Sequence, residues 1–263
     1  MSQRFDRGEI EVIAIDSGST DGTVEFLRGA GVRVIGYSER PFRFGPARDF
    51  AFRASRGRVI VTQSQDVIPM TDRYVDDLVS PILEGDADIV QGNTGPGDQP
   101  HFYWHAKRSA FYFTSEGTRF TEEFGGIALS FECIAIERSA WKESGFANAL
   151  VCEDKVFQRL AVTRGRKIIR LAGAIATHDH AYSTRGLIAR CVQEGRGWAE
   201  AEVTYTLRQA AWDSIRAVRW FDRWFHALIR LRLRSFGELF FFQIRPIAVW
   251  SGNRSQRRRR AEG

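Results

Sequence analysis

Two short runs of β-branched residues, each cut off by a polar turn and each followed by helix-forming sequence, constrain this chain more than any other feature. The first is residues 10–15 (IEVIAI), which stop at DSGSTDGT. The second lies in residues 58–69 (RVIVTQSQDVIP), where Val59, Ile60 and Val61 run into a polar cluster ending in Asp66. A short continuous apolar run is what a strand buried on both faces needs. Strand, polar turn and helix repeated in this order specify an α/β protein, expected to have a mostly parallel sheet flanked by helices. In such a sheet ligands are met beyond the carboxyl ends of the strands, where Asp16 and Asp66 stand. A lone aspartate after a strand also caps turns, so the residues alone leave both roles open.

The pattern continues along the chain. Residues 23–27 read as a helix capped by Ser19 or Thr20 and ended by Gly29 and Gly31, and residues 32–37 as a strand. Residues 45–55, with Ala47, Phe50, Ala51 and Ala54 on one face, form a helix carrying Arg48. Pro69 and Thr71 close the Asp66 turn ahead of an amphipathic helix over 74–83. A strand follows at 87–92, then a Gly/Pro loop over 93–100 and an aromatic segment over 101–113 that includes Phe102, Tyr103 and Trp104. Residues 120–126 read as a loop, 129–136 as a strand, and Ser139 opens a helix. Glu153 and Asp154 precede a helix over 155–164. Strand sequence returns at 167–171 and 174–176 and stops at Thr177-His178-Asp179-His180.

Composition excludes some classes. The three cysteines are widely spaced with no CxxC, so neither a disulfide framework nor a structural zinc site is indicated, and a reducing compartment is expected. The first nine residues are polar and contain no apolar h-region of a signal peptide. The net charge of +6 is concentrated at the carboxyl end, in Arg254 and Arg257 to Arg260. Residues 212–234 alternate aromatics and leucines with arginines, and the apolar stretch after them is too interrupted for a membrane span. That combination suits an anionic membrane surface, or a helical bundle packing on the rest of the chain. The expected organisation is an α/β domain over 1–182, a helical extension over 183–250 and a basic disordered tail over 251–263. No nucleic-acid motif accompanies the basic tail, and no nucleic-acid partner is expected.

The strand ending in DSGSTDGT, the helix bearing Arg48, the QD-x-IP turn, the Glu153-Asp154 pair and the HDHAYS segment occur in the order seen in inverting family 2 glycosyltransferases. Over residues 9–195 the chain resembles that family, and in particular its rhamnosyltransferase branch. The resemblance implies the Rossmann-like GT-A fold with a helical carboxyl-terminal extension. It also implies transfer of a sugar, rhamnose or a similar deoxysugar, from a dTDP- or UDP-sugar donor to a glycan or lipid-linked acceptor, with inversion. A cytoplasmic enzyme, peripheral on the inner face of the cell membrane, would fit such an acceptor.

The resemblance also implies roles. Asp16 would accept from the pyrimidine ring N–H, Asp21 and Gln65 would contact the donor, and Arg48 would point at the nucleotide and its phosphates. Asp66, with His178 or His180, would hold Mg2+ or Mn2+. Asp154 would be the general base, with Glu153 orienting or capping. Set against this, Asp21 also suits a helix start, and Gln63, Ser64 and Gln65 stand where many relatives carry further aspartates, so the metal site is less charged. Relatives begin with one more strand and helix than this chain shows, which leads us to expect an upstream start, a fragment, or a gapped sheet. A non-catalytic sugar or lipid-phosphate binding protein retaining the fold is the alternative to an active transferase.

Overall fold

The computed structural model describes residues 3–95, 114–178, 183–216 and 240–262. His180, Phe102, Tyr103, Trp104 and most of the 212–234 segment therefore lie outside the described residues. In chain order the first elements are β1 (Ile13–Asp16), α1 (Thr23–Gly29), β2 (Arg33–Gly36), α2 (Phe44–Ala54), β3 (Val59–Gln63), β4 (Val67–Pro69), α3 (Tyr74–Leu83) and β5 (Ile89–Gly95). They are followed by α4 (Ser115–Glu123), β6 (Cys133–Glu137), α5 (Arg138–Ser144), α6 (Glu153–Thr163), β7 (Ile168–His178), α7 (Thr184–Glu200), α8 (Leu207–Arg216) and α9 (Phe241–Glu262). The chain forms two units. One comprises Met1–Gln63, Thr71–Gly92 and Ser130–Ala172, the other Ser64–Met70, Asn93–Leu129 and Gly173–Gly263.

In the first unit β1 and β2 pair in parallel, Ile13 beside Arg33 and Asp16 beside Gly36. This pair is a sheet of its own, and β3 belongs to a different one. There β3 runs antiparallel to β6, and β6 antiparallel to β5. The mostly parallel sheet expected from the sequence is thus only partly parallel. The reason is where the chain enters β6: Cys133 lies opposite Gln63, the last residue of β3, so β6 must run back toward Val59. Nor is β3 buried on both faces, since Ile60 alone of its residues is buried.

Helix α2 is fixed at both ends and near its middle. At its start Phe44 and Gly45 donate their N–H groups to Leu150 and Ala149, and Gly45 sits so close that a Cβ would lie 2.3 Å from the Ala147 carbonyl oxygen. Near its middle Asp49 accepts from the Trp141 indole at 2.8 Å. At its end the Arg138 guanidinium donates to the Phe52 and Gly57 carbonyls. Beneath the helix Phe52, Phe131, Phe146 and Phe157 form a buried aromatic cluster, with Phe52 and Phe146 edge to face at 4.8 Å. Such contacts contribute about 0.5–1.5 kcal/mol per pair beyond area burial. All three cysteines are free and buried, and burial pushes the Cys133 thiol up to about 11.

In the second unit β4 pairs antiparallel with the end of β7, Val67 beside His178. The turn expected at Pro69 is therefore a short strand. Residues 120–126, expected as a loop, begin inside α4, whose cap Thr114 accepts from the Gly117 N–H at 3.1 Å. The helices α7 and α9 cross at glycines. A Cβ on Gly195 would meet the Val249 carbonyl oxygen at 1.9 Å, and one on Gly252 would meet that of Val192 at 2.0 Å. Around the crossing Asn253 accepts from the Tyr205 N–H and donates to the Val203 carbonyl, while buried Asp213 accepts from the Tyr205 hydroxyl and the Ser115 N–H.

These contacts correct the expectation of a disordered tail over 251–263. Helix α9 continues to Glu262, held on α7 by Gly252, by Gln256 donating to Glu200 and by Arg260 donating to the Ala199 carbonyl. Its apolar start also packs within the unit, since Phe241, Phe242 and Val249 are buried. Among the described residues no helix is long and apolar enough to cross a membrane. Replacing Gly252 with alanine should cost about 1–3 kcal/mol or more in chemical denaturation, because neither helix backbone can retreat without opening the crossing. Arg259→Ala, on the exposed side of the same helix, should leave the midpoint unchanged within about 0.5 kcal/mol.

Candidate active site

Asp16 ends β1 and turns its carboxylate onto the following loop, accepting from the Gly18 N–H at 2.8 Å and the Ser19 N–H at 3.2 Å. Hydrogen bonding by Ser19 and then Gly18 holds its carboxyl below the usual range, so it stays charged. Asp21 accepts from the Thr23 hydroxyl at 2.6 Å and the Thr23 N–H at 3.2 Å, which lowers its pKa in the same way. It therefore starts α1, a role open to it from the sequence. Neither Ser19 nor Thr20 is the cap, since Gly22 takes that position in a left-handed conformation, φ 84°.

Arg48 and Glu153, 105 positions apart, meet in the first unit with Nε 2.7 Å from Oε1. The side chain of Glu153 is 7% exposed and that of Arg48 24%. The guanidinium also lies over the Phe131 ring, 4.8 Å from its centroid. Burial pushes the Glu153 carboxyl up, with Arg48 pulling against that shift. Glu153 is thus more than an orienting or capping residue. It is the counter-charge that fixes Arg48, and nothing in the residue pattern pairs the two, because the fold alone brings α2 onto the start of α6. Asp154, the next residue, is half-buried, and its Oδ2 lies 3.0 Å from the Lys155 ammonium. Cys152, the cap before this acidic pair, holds a left-handed φ of 68°, a conformation unusual for a side chain larger than glycine's hydrogen.

In the second unit the turn after β3 and the end of β7 bring together the two other expected residues. Asp66 Oδ1 and His178 Nε2 lie 3.2 Å apart, both atoms buried, and their approach lacks the angles of a hydrogen bond. Adjacent ligands of one octahedral ion with bonds of about 2.1 Å would lie about 3 Å apart, so this carboxylate oxygen and imidazole nitrogen are spaced to share a divalent cation. Among the described residues no cluster of three or more His, Cys, Asp or Glu side chains is arranged around a metal position. An ion here would take its remaining ligands from substrate oxygens and water. Gln65 is exposed in the same turn.

A family model described as Glycosyl transferase family 2 matches residues 2–145, more than half of the chain. The chain belongs to that family. The matched span includes Asp16, Asp21, Arg48 and Asp66 and stops short of Asp154 and His178. No curated protein matches the chain. Among solved structures it is similar to glucosyl-3-phosphoglycerate synthase from Mycobacterium tuberculosis in complex with phosphoglyceric acid, at 21% identity and a TM-score of 0.52 over 72% of this chain. The chain spans 66% of that enzyme, just under two thirds of its length. The same enzyme solved with Mn2+, UDP and glucosyl-3-phosphoglycerate gives 22% identity and a TM-score of 0.54, covering 73% of this chain and 67% of that one. A mannosyltransferase from Pyrobaculum calidifontis in complex with GDP-Man and Mn2+ gives 15% identity and a TM-score of 0.59, covering 94% of this chain and 77% of that one. These likenesses show the GT-A fold for this family member.

The raised pKa of Glu153 makes the protein's stability pH-dependent in a defined direction. A carboxyl whose pKa is higher folded than unfolded stabilises the fold below its unfolded value, and that contribution is lost as pH rises through the folded value. Unfolding free energy measured across that window should therefore fall with rising pH, and Glu153→Gln should remove this component. Arg48→Met should cost about 3 kcal/mol by leaving a buried charge, and the Arg48→Met, Glu153→Met double variant should recover part of that loss.

Proposed function

We propose that the protein transfers a sugar, a deoxysugar such as rhamnose, from a nucleotide-sugar donor to a glycan or lipid-linked acceptor with inversion at the anomeric carbon. The observation that carries this reading is the convergence of Asp66 Oδ1 and His178 Nε2 at 3.2 Å, a carboxylate and an imidazole delivered by two strand ends. Asp66 and His178 would hold a divalent cation, Mn2+ or Mg2+, with His180 as a further candidate ligand. Such an ion supplies charge neutralisation for a departing nucleoside diphosphate. The Mn2+ complexes of the two similar enzymes, one with UDP and one with GDP-Man, support a nucleotide donor, here expected to be a dTDP- or UDP-sugar.

In this reading the anionic Asp16 carboxylate accepts from the base N–H, while Asp21 and Gln65 contact the donor. Arg48, its Nε committed to Glu153, offers its remaining N–H groups to phosphate oxygens. Asp154 takes the proton from the acceptor hydroxyl as that oxygen bonds to the anomeric carbon and the bond to the nucleoside diphosphate breaks. For Asp154 to act, the Lys155 ammonium must release one carboxylate oxygen or share it. A location in the cytoplasm, peripheral at an anionic membrane, is the setting that a lipid-linked acceptor requires.

The Lys155 contact also motivates a second reading. A carboxylate already neutralised by a lysine 3.0 Å away suits a protein that binds sugars or lipid phosphates without turning them over. Calorimetric titration with UDP, dTDP and GDP, with and without Mn2+, tests donor binding. Metal-dependent binding of one nucleotide, lost in Asp66→Ala, is expected, whereas binding indifferent to both metal and Asp66 removes the metal site. Transfer or donor hydrolysis should fall by about 10²-fold or more in Asp154→Asn. Nucleotide binding without turnover in the unaltered protein establishes the second reading instead.

A further inference from the structure

Three arginines of the carboxyl end, Arg254, Arg257 and Arg258, line one open depression. Trp250, Arg254, Arg257, Arg258 and Ala261 recur at spacings of three and four residues and so share one face of α9. With the loop that carries Thr204, Tyr205 and Thr206 they line an open depression of about 360 Å³. Among the described residues no acidic side chain lines it. Its walls are fixed by contacts already described: buried Asn253 ties the loop at Val203 and Tyr205 to α9. Thr206 caps α8, accepting from the Gln209 N–H at 3.2 Å and donating to the Gln209 side chain at 2.8 Å.

Three guanidinium groups within two helical turns repel one another, and the described residues do little to neutralise them. Arg254 lies over the Trp250 ring at 5.4 Å from its centroid. Arg257 and Arg258 form no ion pair with any described residue, whereas Arg260, one turn on, has Glu202 at 3.9 Å. Side chains arranged in this way match the chemistry of a multiply charged oxyanion, because each guanidinium can present two parallel N–H groups to phosphate oxygens. The volume lies within the range of ordinary small-ligand sites.

We propose that this depression binds a phosphate- or diphosphate-bearing group, presented by a soluble phosphorylated compound or by an anionic lipid headgroup. It is a site separate from Asp66 and needs no metal. The test uses the full chain in EDTA, with inorganic pyrophosphate as the soluble probe in calorimetry. Phosphatidylcholine vesicles with and without phosphatidylglycerol are the lipid probe in flotation. Arg254→Gln, Arg257→Gln and Arg258→Gln together should weaken binding by about tenfold or more. Arg28→Gln, Arg53→Gln and Lys142→Gln together change net charge equally on the other unit and should not, and Asp66→Ala should bind as the unaltered protein does. Binding of pyrophosphate alone, of anionic vesicles alone, or of both supports the site and distinguishes its source of phosphate. Binding of neither probe, equal loss in the charge-matched control, or loss in Asp66→Ala rather than in the arginine variant overturns it. Since the three arginines are exposed, helix content by circular dichroism should be unchanged in their variant.

Discussion

A carboxylate buried as deeply as that of Glu153 can stay charged only if an opposite charge meets it, and Arg48 is that charge. Removing one partner of such a pair costs several kcal/mol, more than a hydrogen bond or a single aromatic contact contributes. The remaining contacts of α2 can be understood from this requirement. The helix must present Arg48 to the first turn of α6 within a few tenths of an ångström, so its start is held against Ala149 and Leu150, and its end under Arg138. Gly45 is required for that approach, since any side chain would displace the helix from the Ala147 carbonyl. The phenylalanine cluster then excludes water from beneath the pair, and the lower local dielectric strengthens the attraction it surrounds.

The same pairing limits what Arg48 can offer a ligand. Its Nε points to Glu153, and one face lies on Phe131, so the group is oriented before any phosphate arrives. An arginine so restrained has already lost much of its side-chain entropy in folding, unlike a solvated surface charge. Asp154, beside Glu153 on the first turn of α6, has its carboxylate against the Lys155 ammonium at 3.0 Å. The left-handed Cys152 stands directly ahead of both acidic residues, at the start of α6.

Much of the architecture was legible in the sequence because continuous apolar runs and helical spacing report burial directly. The helix at 74–83 is found at those bounds, and the strand ends at Asp16 and just before Asp66 fall where the polar turns place them. Strand direction was not legible, since a buried run reads the same whichever way it lies in the sheet, and β6 is antiparallel only because of where the chain returns to it. The convergence of Asp66 and His178 could not come from their spacing, as more than a hundred residues separate them; it was reached through resemblance to a family. Glu153 escaped recognition as a partner for Arg48 because an acidic pair at a helix start already has a local explanation in the helix dipole.

The carboxyl end shows how charge patterning misleads when packing is unknown. A run of four arginines predicts self-repulsion and disorder, and in an isolated peptide that reasoning holds. Here the helix is decided by its other face, where Phe242, Val249, Gly252 and Asn253 are buried against α7 and the loop before α8. Hydrophobic burial and a backbone crossing at two glycines outweigh like-charge terms of only a few tenths of a kcal/mol per pair. The outcome for the arginines is orientation. A disordered tail would have to lose backbone entropy at the moment it met an anion, about 1–2 kcal/mol per residue, whereas α9 has already lost it in folding. Charges held on a rigid face at fixed spacing can distinguish one arrangement of phosphate oxygens from another, which a flexible polycation cannot do.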